Sequence, residues 1–202
     1  MNYSNYSKPI QDLIECFKKI PGIGEKSAER MALWAVDADN DLIEDFASSL
    51  IACKQIIKRC TICNNYATDE LCTICADNSR DNSVICVVEK PKNVILFEKT
   101  GSYKGKYHVL DGLITGGKTP KNANIDALIS RVNSNIISEV ILALEPSIDG
   151  EVTSLYVSKL LDGKGVSVSK LAHGVPLGAD MDYLDLLTLE TALADRKQIN
   201  GK

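Results

Sequence analysis

Two Cys-x-x-Cys pairs, Cys60-Thr-Ile-Cys63 and Cys72-Thr-Ile-Cys75, carry the most specific chemistry in this chain. The eight-residue spacer between them, Asn64 to Leu71, is too short to hold an element that would keep the pairs apart. Four thiolates at this spacing can converge on one tetrahedral ion, the arrangement that structural Zn²⁺ adopts. Sulfur then fills every coordination position and none stays open for a substrate, so the expected ion is structural, one per chain. Redox-active thiols are the alternative use of the same motif.

A second candidate lies upstream, at Pro21-Gly22-Ile23-Gly24 followed by Glu25-Lys26-Ser27. Gly22 and Gly24 would let backbone N–H groups come close to a phosphate, and the helix opening at Glu25 would turn its positive N-terminus to the same anion. Lys26 and Arg30 are four apart on one helix face, placed for flanking phosphates. A plain helical hairpin with solvated Lys and Arg would show the same residues. A third candidate is a pair of carboxylates, Glu89 and Glu145, each at the carboxyl end of an apolar run, 84–88 and 139–144. Such strand ends are where parallel sheets place their sites.

Two further motifs are expected to carry no chemistry. Gly112-Leu-Ile-Thr-Gly-Gly117-Lys118-Thr119 fits the P-loop expression, yet it is followed by Pro120-Lys-Asn-Ala-Asn124. A P-loop needs a helix N-terminus there, and that stretch is poor in helix formers, so no nucleotide site is expected. The two histidines, His108 and His173, lie in no base–nucleophile arrangement and read as structural.

The elements that must position these residues follow from periodicity. Ile10, Leu13, Ile14, Phe17 and Ile20 recur at helical spacing, then Ala28, Met31, Ala32 and Ala35 on a second helix. The two helices flank the Pro-Gly-Ile-Gly turn as a helix-hairpin-helix. A longer helix carries Leu42, Ile43, Phe46, Leu50, Ile51 and Ile57 and runs into Lys58-Arg59. That basic pair either complements the helix C-terminus or continues a nucleic-acid surface. Beyond the cysteines, strands at 84–88, 107–110, 139–144 and 166–171 alternate with helices at 93–100, 125–132 and about 145–161. This order predicts a mostly parallel sheet, followed by a Leu-rich helical tail. The expected parts are a helical N-terminal domain (1–58), a zinc module (59–79), an α/β domain (80–178) and a tail (179–202).

The chain has 202 residues, 45% of them hydrophobic, and a net charge of −4, which excludes a general polyanion binder and leaves only local nucleic-acid contact. Its apolar runs are too short to span a bilayer, and its polar start lacks a signal-peptide core, so no membrane partner is expected. Cys16, Cys53 and Cys86 fall in apolar patterns and read as core fillers in a reducing cytoplasm.

A strand ending in Glu89 and a second leading to Glu145-Pro-Ser-Ile-Asp-Gly-Glu151 resemble the Toprim domain of topoisomerases and primases. Together with the hairpin and the four cysteines, in this order and size, the chain resembles the RecR family over nearly its whole length. The likeness extends to Val88-Glu-Lys-Pro-Lys92, Glu98-Lys-Thr-Gly101, Tyr103-x-Gly-x-Tyr-His-Val-Leu110, Ala172-x-Gly-x-Pro176 and Asp182-Tyr183. The resemblance implies an α+β multi-part chain: a helical helix-hairpin-helix domain, a small four-cysteine zinc module and a Toprim domain with a mostly parallel sheet. It implies a non-enzymatic recombination mediator, cytoplasmic and nucleoid-associated, forming a tetrameric ring that clamps single- and double-stranded DNA without sequence preference. Such a clamp works with RecO and RecF to help load RecA on gapped single-stranded DNA. By the same resemblance Lys26 and Arg30 contact DNA, Cys60, Cys63, Cys72 and Cys75 hold zinc, and Glu89 and Glu145 are the acidic Toprim positions. Catalytic Toprim domains hold Mg²⁺ with an Asp-x-Asp arrangement; here Glu145 takes the first place and Ser147 the second. Losing one carboxylate weakens a Mg²⁺ site and leaves only weak Mg²⁺ binding open. The rival readings are a Mg²⁺-dependent Toprim phosphodiesterase and a scaffold without nucleic-acid affinity.

Overall fold

A computed structural model describes residues 3, 5–118, 124–134, 137–172 and 174–196. His173, and the stretch after Lys118 on which the P-loop expectation turned, lie outside the described residues. The chain forms two compact units, Met1–Ile57 and Lys58–Lys202.

The first unit is helical: α1 (Lys8–Lys18), α2 (Glu25–Asp37) and α3 (Asn40–Ile56). Pro9 in the first turn of α1 suits a position whose N–H has no intrahelical acceptor. The α1 and α2 helices pack through Ile14, Ala28 and Ala32, all fully buried, with Leu13, Phe17 and Ile23 around them. The small Ala side chains let the two backbones come close. Tyr6 fixes the pair further by donating from its hydroxyl to Glu29 Oε1 at 2.7 Å.

The α3 helix buries none of its residues; Leu42, Phe46, Leu50 and Ile51 are each about half exposed. Cys16 and Cys53 are likewise exposed, which corrects the expectation that they fill a core. Cys53 has no core to enter because α3 has none, whereas Cys86 is buried as expected. Lys58 and Arg59 do not extend α3 either, which ends at Ile56.

The second unit opens with the antiparallel pair β1 (Lys58–Arg59) and β2 (Tyr66–Ala67), then the short α4 (Thr73–Ala76). A four-stranded parallel sheet follows, made of β3 (Asp81–Val88), β4 (Gly105–Val109), β5 (Glu139–Ala143) and β6 (Ser167–Lys170), in the order β4-β3-β5-β6. Its connections carry α5 (Pro91–Thr100), α6 (Ile125–Ser134) and α7 (Ile148–Leu161). A 3₁₀ turn (Met181–Tyr183) and α8 (Leu186–Ala194) close the chain.

The period-two alternation of β3 divides the core. Cys86 and Val88 face a cluster shared with Cys60, Cys63, Cys72, Ile74, Val94, Tyr107 and Val109. Ile85 and Val87 face the other, built with Leu128, Val132, Val140, Leu142, Val157 and Leu161. One face of the sheet is thus covered by the cysteine module and α5, the other by α6 and α7. The zinc module also closes the β4 edge: Val109 N–H donates to the Cys63 carbonyl at 2.8 Å, and Asn64 Nδ2 donates to the Val109 carbonyl at 3.3 Å. Covering an exposed edge with a loop removes a template for unwanted strand pairing. No helix among the described residues is long and apolar enough to cross a membrane.

Candidate zinc centre and nucleic-acid interface

The four sulfurs of Cys60, Cys63, Cys72 and Cys75 lie within 4.8 Å of one another, with Cys63 and Cys72 3.5 Å apart. Zn–S bonds of about 2.3 Å in a tetrahedron set sulfurs about 3.8 Å apart, so the donor set fits one Zn²⁺. Each pair sits on a turn that the backbone enforces. In the first, Asn64 donates to the Cys60 carbonyl at 2.9 Å and Cys60 to that of Asn65 at 2.8 Å, with Asn64 in the left-handed region (φ 60°). In the second, Cys75 N–H donates to Cys72 Sγ at 3.4 Å and Ala76 N–H to the Cys72 carbonyl at 3.0 Å.

The module is bound to its sheet by ions as well as by core packing. Arg59 donates from Nη2 to both oxygens of Asp111 at 3.1 Å and lies 5.0 Å from the centre of the Tyr66 ring. Its role is therefore inside this unit rather than at a helix C-terminus, correcting that expectation. On the exit side, Arg80 holds the Glu98 carboxylate with both terminal nitrogens, and Tyr107 OH donates to Glu98 Oε1 at 2.8 Å. The Arg80 guanidinium keeps the Glu98 carboxyl below its usual range. This network accounts for Glu98 and Tyr107 within the motifs that carry the resemblance.

In the first unit, the hairpin turn has Gly22 at φ +84°, the left-handed region that favours glycine. The first backbone bond of α2 runs from Ala28 N–H to the Gly24 carbonyl, 2.9 Å. Gly24 offers no side chain to cap the helix, so the N–H groups of its first turn are left to an external acceptor. Lys26 and Arg30 are exposed, and neither has a hydrogen bond or ion pair among the described residues. Lys18, by contrast, is held by Glu15 at 2.7 Å and lies 3.9 Å from Glu25.

At the carboxyl end of the sheet, Glu89 and Glu145 follow the paired strands β3 and β5, where Val88 is in register with Ala143. Glu89 is buried, its Oε1 2.8 Å from Lys90 Nζ and its Oε2 without a partner among the described residues. Glu145 is exposed. Ser147, in the place of the second carboxylate, caps α7 by accepting from Gly150 N–H at 3.1 Å. Asp149 accepts from Thr115 Oγ1 at 3.2 Å and Glu151 pairs with Lys170 at 3.2 Å. Among the described residues, only the four cysteines form a His, Cys, Asp or Glu group close enough to hold a metal.

Sequence reasoning missed Lys90 and Asp111 as members of this end. The Lys90 ammonium is held charged chiefly by its hydrogen bond to Glu89, with Glu145 and Asp111 adding to it. Asp111 has φ 64°, and its N–H donates to the Glu89 carbonyl at 2.8 Å; the Asp-Gly dipeptide was the available signal.

The P-loop-like segment folds as a tight reverse turn. Thr115 and Lys118 exchange backbone bonds of 3.2 and 3.1 Å around Gly116 and Gly117, both at positive φ. N–H groups bonded across a turn are not available to cradle a phosphate. His108 is buried, its Nε2–H donating to the Asn124 carbonyl at 2.9 Å, as befits a structural residue.

Comparison with known families matches four models along the chain. These are the RecR helix-hairpin-helix at residues 10–54, the RecR four-cysteine zinc finger domain at 57–77, the Toprim domain at 83–172 and the RecR C-terminal region at 174–197. The helix-hairpin-helix match spans the uncapped turn, the zinc finger match spans the converging sulfurs, and the Toprim match spans the parallel sheet. Three of the four models are RecR's own, and they surround the Toprim sheet in one continuous order: the chain belongs to the RecR family.

Proposed function

We propose that this chain is a DNA-binding recombination mediator that acts as an oligomeric clamp. Working with RecO and RecF in the cytoplasm, it would help load RecA on gapped single-stranded DNA. The family assignment supports a recombination-repair role and DNA contact through the hairpin. The observation that carries the reading is the unpaired Lys26 and Arg30 beside a helix N-terminus with no side-chain cap. A phosphate can meet both cations and the backbone donors without breaking any ion pair among the described residues. Two cations per chain neutralise few phosphates, so several hairpins must act together. The half-exposed face of α3 and the exposed leucines of α8 support assembly, for which a tetrameric ring is the proposed form. The test is molecular mass in solution with and without DNA: an oligomer that retains its mass on DNA is expected, and a strict monomer overturns the clamp.

The rival Mg²⁺-dependent phosphodiesterase draws on one observation, the unpartnered Glu89 Oε2. Against it, Ser147, Asp149 and Glu151 are each engaged within the chain. Plasmid should remain uncut in Mg²⁺ or Mn²⁺; nicking lost in the Glu89→Ala, Glu145→Ala double variant would favour the enzyme.

A further inference from the structure

Lys106 is an unusual residue to find in a fully buried strand. It sits at the second position of β4, all five residues of which are buried, and is only 4% exposed itself. A buried ammonium is costly unless its protons find acceptors. Here they do: Nζ donates to the carbonyl oxygens of Asp77 at 2.6 Å, Ile74 at 2.8 Å and Cys75 at 3.3 Å. Those carbonyls belong to α4 and to the residue that follows it, the segment that closes the second cysteine pair.

This placement does two things. The first is mechanical. An α4 of four residues has almost no internal bonding of its own, and its terminal carbonyls need donors. Lys106 supplies three from one nitrogen, fixing the backbone of Cys75 against the sheet. The second is electrostatic. Four thiolates around a divalent cation leave the site net anionic, and three of these four cysteines are at most 3% exposed. A net negative charge removed from water calls for a compensating charge nearby. The Asp77 carboxylate is a charged group that interacts with Lys106. It accepts from Ser79 N–H at 2.9 Å and Ser79 Oγ at 2.6 Å and lies 3.4 Å from Arg80.

We propose that Lys106 is a positioning residue for the zinc ligands: its buried ammonium holds the carbonyls of Ile74, Cys75 and Asp77 and supplies the positive charge beside the tetrathiolate site. Outer partners that orient metal ligands typically change metal affinity by about 10- to 100-fold when removed. The test uses the intact zinc-loaded chain and a chromogenic chelator, comparing the parent with Lys106→Met, which keeps the stem and removes donors and charge. Zinc transfer should be about 10- to 100-fold faster in Lys106→Met. Lys106→Arg, which keeps charge and donors, should remain close to the parent. Cobalt substitution gives a readout that packing alone would not move: the sulfur-to-cobalt absorption of Lys106→Met should shift relative to parent and Lys106→Arg. Parental transfer rates with an unchanged cobalt spectrum in Lys106→Met overturn the proposal. So does a Lys106→Arg that loses zinc as fast as Lys106→Met. Should Lys106→Met fail to fold, Lys106→Gln takes its place, and equal transfer rates for Lys106→Gln and the parent overturn the proposal equally.

Discussion

Replacing Lys26 and Arg30 together by alanine is the sharpest perturbation of the proposed interface, because it disturbs almost nothing else. Both side chains are exposed and unpaired among the described residues, and alanine is the best helix former. The change in folding stability should therefore stay within about 0.5 kcal/mol. The effect on binding is larger and has a characteristic form. If each cation meets one phosphate, each engaged hairpin loses about two contacts, and the slope of log K against log salt on duplex DNA becomes shallower by about 1.8. Over a rise from about 50 to 200 mM salt, the parent should lose affinity about tenfold more steeply than the variant per engaged hairpin. With two hairpins on one duplex the slope difference doubles to about 3.6. Fluorescence anisotropy across that salt range measures it, with light scattering to confirm that oligomer size is kept. Lys118→Ala, which removes a charge elsewhere, is the control and should leave the slope unchanged. A double variant that binds as tightly as the parent, with the same slope and mass, would reduce the hairpin to packing and sink the reasoning.

Cys63→Ser should lose its zinc by elemental analysis and show faster amide exchange around residues 61–74, since binding energy in such a site is folding energy; a metal-free protein that keeps its exchange protection refutes this. Gly150→Ala should destabilise the chain by at least about 1–3 kcal/mol in urea titration, because the added Cβ would lie 1.9 Å from the Glu145 carbonyl oxygen; an unchanged midpoint refutes it. His108 is held neutral by burial, its pKa pushed down to about 4 from 6.5. The unfolded chain therefore binds the proton first, and stability contributed by neutral His108 is full above pH 6.5 and drains as pH falls towards 4. Between about pH 7 and 5.5 the loss should be about 1 kcal/mol, absent in His108→Gln; identical pH profiles count against it. Calorimetry with ATP and Mg²⁺ should be flat, and micromolar binding abolished by Lys118→Ala would show that the turn around Gly116 does open to phosphate.

Much of this fold could be read in the sequence because its central strand runs are buried on both faces and its cysteines are close in sequence. The run 84–88 can only be a central strand, and two Cys-x-x-Cys pairs eight residues apart have little choice but to converge. The misreadings share one cause: patterns within an element do not say what lies against it. Cys53 falls in an apolar stripe, yet α3 buries nothing within the chain. Lys106 breaks the apolar character of β4, yet the carbonyls of Ile74, Cys75 and Asp77 receive its ammonium inside the unit. Lys58 and Arg59 look like the end of a basic helix, while the nearest acceptors, Asn64 and Asp111, draw Arg59 into the zinc module. Long-range pairs such as Arg59–Asp111, 52 residues apart, leave no local trace.

On the proposed reading, the acidic end of the sheet is turned from chemistry towards recognition. A hard divalent ion needs several oxygens converging on it. Glu89 Oε1 is already taken by Lys90, whose ammonium also feels Glu145 and Asp111. A metal arriving at Glu89 would have to displace that cation or accept its repulsion at short range. The residues that could supply further oxygens are spent elsewhere: Ser147 on the start of α7, Asp149 on Thr115, Glu151 on Lys170. The exposed Glu145 carboxylate and one oxygen of Glu89 are left over. Glu89 Oε2 is buried and unpartnered among the described residues, and an unsatisfied carboxylate oxygen attracts a donor more readily than it tolerates none. A donor from a partner protein's arginine, lysine or backbone would satisfy it without expelling Lys90, and that asymmetry favours a docking contact over a metal at this position.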